Sequence, residues 1–425
     1  MLKQYSRLKM PFVLWMAVTL YFSFQFVLRM SVGILREEIM IRFNVDTATF
    51  GTLAGYWYLG YAGMQIPLGF MLDKFNFRYV TVISIITSAL GTLTFCLAST
   101  WSIVLIGRFL IGAGSGVAFL AVAKVTKTFF PEKMHSMLLG FAFTVGLSGA
   151  VVGELPTRLV VDYLGYDATL LVLTAIAVFI AFIILAVNDR KIERFETNQE
   201  NSGISTKETF QLMFNPVLIY VGLCGGLMVG SLEGFADVWA IPYFMQIYGF
   251  NHHDSIAVIA WVFWGMCFGG PFLAFCSEKF KSTILMIMLT GVLTCIIFVI
   301  MFLTENMNYT ILRMLMFVLG ILCSYQVLVF TLTTQLVDKS CAGLAISIIN
   351  CLNMSFGHVF HKLISNIMQS NWSGDIDEKY LPVYNHEAYV MALGVIPLFA
   401  LIGTLGFVYL SSKQRRGKLK KIKLI

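Results

Sequence analysis

The chain is expected to be an all-α membrane protein with twelve transmembrane helices in two pseudo-symmetric six-helix halves, and three observations predict this. Its 425 residues are 58% hydrophobic and 12% charged, with a mean hydropathy of +0.79; soluble domains carry about 25% charged residues. So much apolar surface needs lipid as its solvent, and in lipid a backbone can satisfy itself only as helices or a closed barrel. The apolar runs are about 20 residues long and lack period-2 alternation, which selects helices. The third observation is a recurring turn. Charges crowd between two long apolar runs at Gln65-Ile66-Pro67-Leu68-Gly69-Phe70-Met71-Leu72-Asp73-Lys74-Phe75-Asn76-Phe77-Arg78. A similar turn, Ser277-Glu278-Lys279-Phe280-Lys281, lies roughly 205 positions on, close to half the chain. At the same offset Trp261 and Gly265 fall opposite Tyr56 and Gly60, so the chain reads as two similar halves.

The first apolar run, 11–35, is too long for a signal-peptide core and has no small-residue cleavage site, so it is read as an uncleaved first span. Further spans are expected near 50–71, 79–99, 102–124, 137–159 and 168–187. A second set follows near 216–240, 255–275, 283–303, 309–332, 341–366 and 388–411. The N-terminal half is therefore 1–187 and the C-terminal half 216–412. Between them, 188–215 mixes acidic, basic, Asn and Ser residues and reads as a cytoplasmic linker with a short surface helix. A basic cytoplasmic tail occupies 413–425.

The net charge of +7 is explained by topology and not by nucleic acid. Lys413, Arg415, Arg416, Lys418, Lys420, Lys421 and Lys423 follow the last apolar run, and Lys3, Arg7 and Lys9 precede the first. Such flanks hold both termini in the cytoplasm. On that topology only Arg36, Arg42 and Lys379 reach outer loops, and Arg29, Arg108, Arg158, Arg313 and Lys362 lie within spans. The eight cysteines all sit in or beside apolar runs, with no C-x-x-C pair. Neither disulfides nor a metal site is expected, and no cofactor.

In the first turn, Gly69, Asp73, Lys74 and Arg78 match the G-x-x-x-D-(R/K)-x-G-x-(R/K) loop of the major facilitator superfamily, with Asn76 where glycine is usual. Asparagine is the next most tolerant residue for a left-handed backbone. In the fourth span Arg108, Gly112 and Gly114 match the family's R-x-x-x-G-x-G, with Gly116 beyond. With twelve spans and a half-length repeat, the chain resembles this superfamily along nearly its whole length. The resemblance implies two six-helix halves rocking about a central site lined by the first, fourth, seventh and tenth spans, with the turn residues acting as a conformational switch. The fifth span carries Gly146, Gly149 and Gly153 but not the Gly-Pro of proton-coupled drug antiporters; Pro156 comes later. Arg29 in the first span is similar to the anion-binding arginine of organophosphate and organic-anion members.

Charges in lipid-spanning segments cost about 2.5–3.5 kcal/mol each on insertion scales, so each needs a reason. Arg29 and Glu233 lie at matching depth in the first and seventh spans, which the repeat makes equivalent. Arg29 is the candidate for gripping a carboxylate or phosphate, and Glu233 for gripping an amine or taking a coupling proton. The plainer readings are mutual pairing or snorkelling. Asp237, one turn beyond Glu233 on the same face, is expected to be the better solvated and is either a proton carrier or a loop-end carboxylate. Arg108 is assigned to coupling, by the family match, against simple helix packing. His358 could titrate near neutral pH. His358 and His361 are spaced as metal ligands can be, without a carboxylate companion. Glu154 and Arg158 have the spacing of a surface ion pair. Lys124 either draws anions into the cavity or snorkels. Tyr56, Trp57, Tyr58, Trp261 and Trp264 line a cavity or the membrane interface; Tyr56 and Trp261 are carried as substrate contacts.

Gly112-x-Gly114-x-Gly116 lies inside an apolar helix and no nucleotide loop is present, so the energy must come from a gradient. The expected function is secondary transport of a small charged or zwitterionic metabolite, proton-coupled, by a monomer with a small-molecule substrate, a coupling ion and the lipid bilayer as its partners. The alternatives are proton-driven efflux of drugs or siderophores, and a solute sensor that does not transport. No enzyme constellation is visible. The short loops point to a bacterial inner membrane.

Overall fold

The computed structural model describes residues 9–187, 206–304, 307–338 and 341–415. The expected linker therefore lies mostly outside the described residues, as do the basic tail from 416 on and the side chains of Asp73 and Glu154. Among the described residues ten helices are long and apolar enough to cross a membrane. One of them, Glu132–Ala186, is two spans merged across Gly165, whose φ of 83° and ψ of 177° break the helix. Thr47–Lys74 adds a further helix of spanning length. The chain is an all-α protein of twelve spans.

In order, the first span is Lys9–Ile34, the second Thr47–Lys74 and the third Phe77–Cys96. The fourth is Trp101–Ser115 continued by Ala118–Phe129, and Glu132–Ala186 supplies the fifth and sixth. The seventh begins as Pro216–Leu227, runs π-helical over Gly230–Trp239 and ends as Ala240–Tyr248. The eighth is His252–Lys279, the ninth Thr283–Leu303 and the tenth Tyr309–Cys323 with Tyr325–Leu336. The eleventh is Ala342–Ser370, and His386–Leu393 with Val395–Arg415 form the twelfth. A short helix, Arg36–Phe43, joins the first two spans, and Thr206–Met213 precedes the seventh. The expected spans are all present; the seventh is longer than expected because the helix continues past its π-helical stretch.

By contact the chain forms two compact units. The first holds the chain up to Ser31 and then from Leu59 through the sixth span. The second holds Val32–Tyr58 together with everything from the short helix Thr206–Met213 onward. Each unit repeats the same packing. In the first, a Cβ on Gly60 would press into the backbone of Phe109 and Ala113, so the second and fourth spans touch through main chain. In the second, Gly265 does the same against Phe317 and Gly320 of the tenth span. The fourth and tenth spans also break at equivalent places, after Ser115 and at Ser324. The opened carbonyls of Gly114 and Gly116 accept hydrogen bonds from Tyr21 (3.1 Å) and the Gln65 amide (3.0 Å). In a membrane such breaks persist only where side chains re-satisfy the backbone.

The charged turns differ in detail from expectation. Asn76 is not left-handed; at φ −54° its side chain caps the third span, accepting from the Arg78 and Tyr79 amides. The left-handed residue is Lys281, φ 50°, at the matching position of the second turn. There Ser282 takes over as cap, accepting from the Leu285 amide.

Candidate functional site

Two buried polar clusters stand out, one in each unit. In the first unit Arg108 of the fourth span is 1% exposed. Its Nη1 donates to the Leu28 carbonyl at 2.7 Å and its Nη2 to the Arg29 carbonyl at 2.6 Å. A guanidinium cannot lose its charge in a protein, so its burial is balanced here by two short charge-assisted bonds to backbone dipoles. The close approach of the third and fourth spans behind it depends on glycine. Gly107 abuts the backbone of Gly91 and Phe95, and Gly114 abuts Ser84 and Ser88. Arg29, whose carbonyl is thus held, is itself 3% exposed, with its guanidinium 5.7 Å from the Phe26 ring centre.

In the second unit the seventh span carries Gly222, Gly226, Gly230 and Gly234 at intervals of four. A side chain at any of them would meet Leu352, Phe356 or Phe360 of the eleventh span. This stripe seats the aromatic residues and brings the two helices close. The π-helix that follows is wound wider than the 3.6 residues per turn of an α-helix. Residues four apart therefore lie more nearly in line, and Glu233 and Asp237 project together. They are 1% and 2% exposed. Asp237 is thus as buried as Glu233, against expectation, because the helix continues past it through Tyr248 instead of ending near 240.

Tyr58 of the second span closes this cluster. Its hydroxyl lies 2.7 Å from Glu233 Oε2 and 2.7 Å from Asp237 Oδ2. His361 of the eleventh span places Nε2 3.5 Å from the same Asp237 oxygen, with its ring 5.5 Å from that of Tyr58. A phenol has one proton and can donate it to one carboxylate. The oxygen of the other carboxyl stands equally close to the phenol oxygen. The arrangement gathers ionisable side chains of the second, seventh and eleventh spans in one buried cluster.

The other expected site residues are distributed as follows. Tyr56 and His358 pack edge to face, ring centres 6.2 Å apart. Lys124 is half-buried on Ala118–Phe129. Trp261 lies under the Arg313 guanidinium at 4.7 Å and against Phe317, and Trp264 is exposed. In the turn, Lys74 Nζ lies 4.3 Å over the Phe70 ring, Gly69 faces open space, and Arg78 Nη1 donates to the Val187 carbonyl at 2.9 Å, tying the third span to the end of the sixth. Arg158 pairs with Asp162 at 2.7 Å. Among the described residues no three His, Cys, Asp or Glu side chains gather as metal ligands would. An apolar cleft of about 190 Å³ between the first, fifth and sixth spans is walled by residues such as Val27, Pro156 and Leu173, with no charged group in its lining. Sequence reasoning missed Tyr58 as a polar partner, counting it only among the aromatics, and considered His361 only for metal. The one available signal was the glycine pair Gly51 and Gly55 ahead of Tyr58, which marks a tight helix approach.

Helices that span lipid, broken where side chains repair the backbone and holding buried ionisable groups, define a polytopic membrane protein of the transporter class. The family model of the Major Facilitator Superfamily matches residues 14–360, and the chain belongs to that family. It is 19% identical over 397 residues to the uncharacterized transporter YybO of Bacillus subtilis, covering 88% of this chain and 90% of that protein. A stretch of 140 residues is 31% identical to vesicular glutamate transporter 1 of Bos taurus, taking in 32% of this chain and 25% of that transporter. In fold it is similar to the crystal structure of a bacterial homolog of the human lysosomal transporter Spinster, inward-facing and occupied. The TM-score is 0.67 at 16% identity, over 94% of this chain and 96% of that one.

Proposed function

We propose that the protein is a secondary transporter of a small organic anion or amphoteric metabolite, driven by the proton gradient through alternating access. The observation that carries this reading is a pair of buried, oppositely charged residues in equivalent spans: Arg29 in the first, 3% exposed, and Glu233 in the seventh, 1% exposed. Arg29, braced through its own carbonyl by Arg108, supplies the cation for a carboxylate or phosphate. The Glu233–Asp237 pair supplies the proton-binding group. Support comes also from relatives named for anions: vesicular glutamate transporter 1, and the probable anion transporter 6 of Arabidopsis thaliana, 27% identical over 239 residues. On this reading both termini are cytoplasmic and the turn from Gly69 to Arg78 serves the switch between states.

The test is uptake into proteoliposomes from a panel of amino acids, dicarboxylates and organophosphates, with and without an imposed pH gradient. A proton-driven carrier accumulates its anion only with the gradient and exchanges it without one. Binding without counterflow would make the protein a sensor, and accumulation of cationic drugs alone would make it an efflux pump.

A further inference from the structure

Arg36 is one of three basic residues that the sequence puts in loops on the side away from the basic tail, where water should surround it. The fold encloses it instead. At the head of the short helix Arg36–Phe43 it is 8% exposed, whereas Arg42 and Lys379 stay exposed. Its guanidinium stands over the Phe50 ring, 5.9 Å from the centre. Its charge reaches the phenols of Tyr384, in the loop before the twelfth span, and of Tyr389, within that span. Phenols are uncharged near neutrality, and burial pushes that of Tyr384 up despite the Arg36 charge. Both protons are committed: Tyr389 donates to Gln246 Oε1 at 2.9 Å and Tyr384 to Thr47 Oγ1 at 2.7 Å. The Tyr384 amide also donates to Gln246 Oε1, at 3.1 Å, which joins the two tyrosines in one network.

The acids of this region do not neutralise the guanidinium. Glu37 pairs with Lys379 at 2.7 Å, and the exposed Asp46 accepts from the Thr49 amide at 2.8 Å. Glu38, two residues on, lies on a different face of the helix. Among the described residues no carboxylate forms an ion pair with Arg36, and its Nε is enclosed with no hydrogen-bond partner. A guanidinium cannot lose its proton to escape burial, and an aromatic face offsets only part of what burying an unpaired cation costs.

We propose that Arg36 is a second anion site, which binds the carboxylate of a small organic anion on the side of the membrane that holds the loop 371–385. The planar fork takes a carboxylate through two parallel bonds, and the neutral network of Tyr384, Tyr389 and Gln246 brings no competing negative charge. All of these residues belong to the second unit, whereas Arg29 belongs to the first. The inference rests on the proposed function only for the choice of a carboxylate among oxyanions.

Thermal unfolding of the full chain in lipid nanodiscs tests it, with succinate exchanged for a bulky sulfonate at constant ionic strength. Arg29→Gln is the background, because the proposed transport site binds the same probe. In that background the Tm should rise by about 2–5 °C at saturating succinate, and adding Arg36→Gln should abolish the rise. Arg36→Lys should keep it but need about tenfold more succinate, since a point charge lacks the fork. In sulfonate alone Arg36→Gln should melt no lower than the wild type, because a neutral amide costs less to bury than an unpaired cation. A lower Tm there would mean that the protein itself satisfies the guanidinium, and overturns the proposal. So does a rise that survives in Arg29→Gln with Arg36→Gln. Should that double variant fail to fold, an unchanged succinate midpoint in Arg36→Lys overturns it equally. A wild-type rise that vanishes with Arg29→Gln alone would sink the second site and leave Arg29 as the anion grip. A rise indifferent to Arg29→Gln and lost with Arg36→Gln would support the second site and count against Arg29.

Discussion

Arg108 in the first unit and Glu233 in the second both put an ionisable group where lipid-spanning helices leave no water, but they end on different partners. Arg108 ends on the carbonyls of Leu28 and Arg29, at 2.7 and 2.6 Å. Neither the guanidinium nor a carbonyl changes charge with pH, so this corner is electrostatically constant. Glu233 ends on Tyr58, which it shares with Asp237, and beside them stands His361. Every member of that cluster can gain or lose a proton. One unit thus buries a guanidinium and the other a pair of carboxyl groups; under the proposed function the first serves the anion and the second the proton.

That contrast can be broken most sharply at Glu233. Glu233→Gln should abolish uphill accumulation while leaving exchange intact and independent of pH; accumulation measured at wild-type levels would show that the acid pair does not carry the proton. The next largest effect is expected at the constant corner. Arg108→Leu removes two charge-assisted bonds and should cost about 3 kcal/mol of stability. It would be read as a lowered Tm in detergent, with Arg108→Lys recovering part because a point charge lacks the planar fork. A Tm equal to the wild type would mean that the first span is not held there. Arg29→Gln should weaken anion binding ten- to a hundredfold, from about 1.5–3 kcal/mol, yet leave the pH profile of the residual exchange as in the wild type. A changed profile would merge the two roles that the comparison separates. The smallest effect concerns neither cluster. Gly165, at φ 83° and ψ 177°, occupies a conformation nearly confined to glycine, and Gly165→Ala should cost about 1–3 kcal/mol of stability with substrate affinity unchanged. Its thermal melt and a binding isotherm together check that the loop between the fifth and sixth spans is structural only.

The amino-acid sequence by itself determined the spans, their number and the repeat. Apolar runs of membrane length admit little else than helices, and the charged turns at Asp73–Arg78 and Glu278–Lys281 mark the same corner twice. It also singled out Arg29, Arg108, Glu233 and Asp237, since a charge inside a span is conspicuous against lipid. What it left to the tertiary structure is partnership. Nothing local tells that Tyr58, one aromatic residue among several, would reach Glu233 and Asp237, which lie 175 and 179 positions away. That contact exists because Gly51, Gly55 and Gly357 let two distant helices close on each other. Asp237 read as the edge of a helix because the sequence does not announce a π-helical stretch, whose wider turn is stabilised by packing against Phe360 and not by propensity. Even the left-handed turn residue was exchanged, from Asn76 to Lys281, since an asparagine can serve either as a tolerant backbone or as a cap. The choice falls to whichever neighbouring amides need an acceptor. Charge and hydropathy are properties of residues one at a time and are legible in order; the meeting of Tyr58, Glu233 and Asp237 at one hydroxyl is a property of distance, which only the folded chain sets.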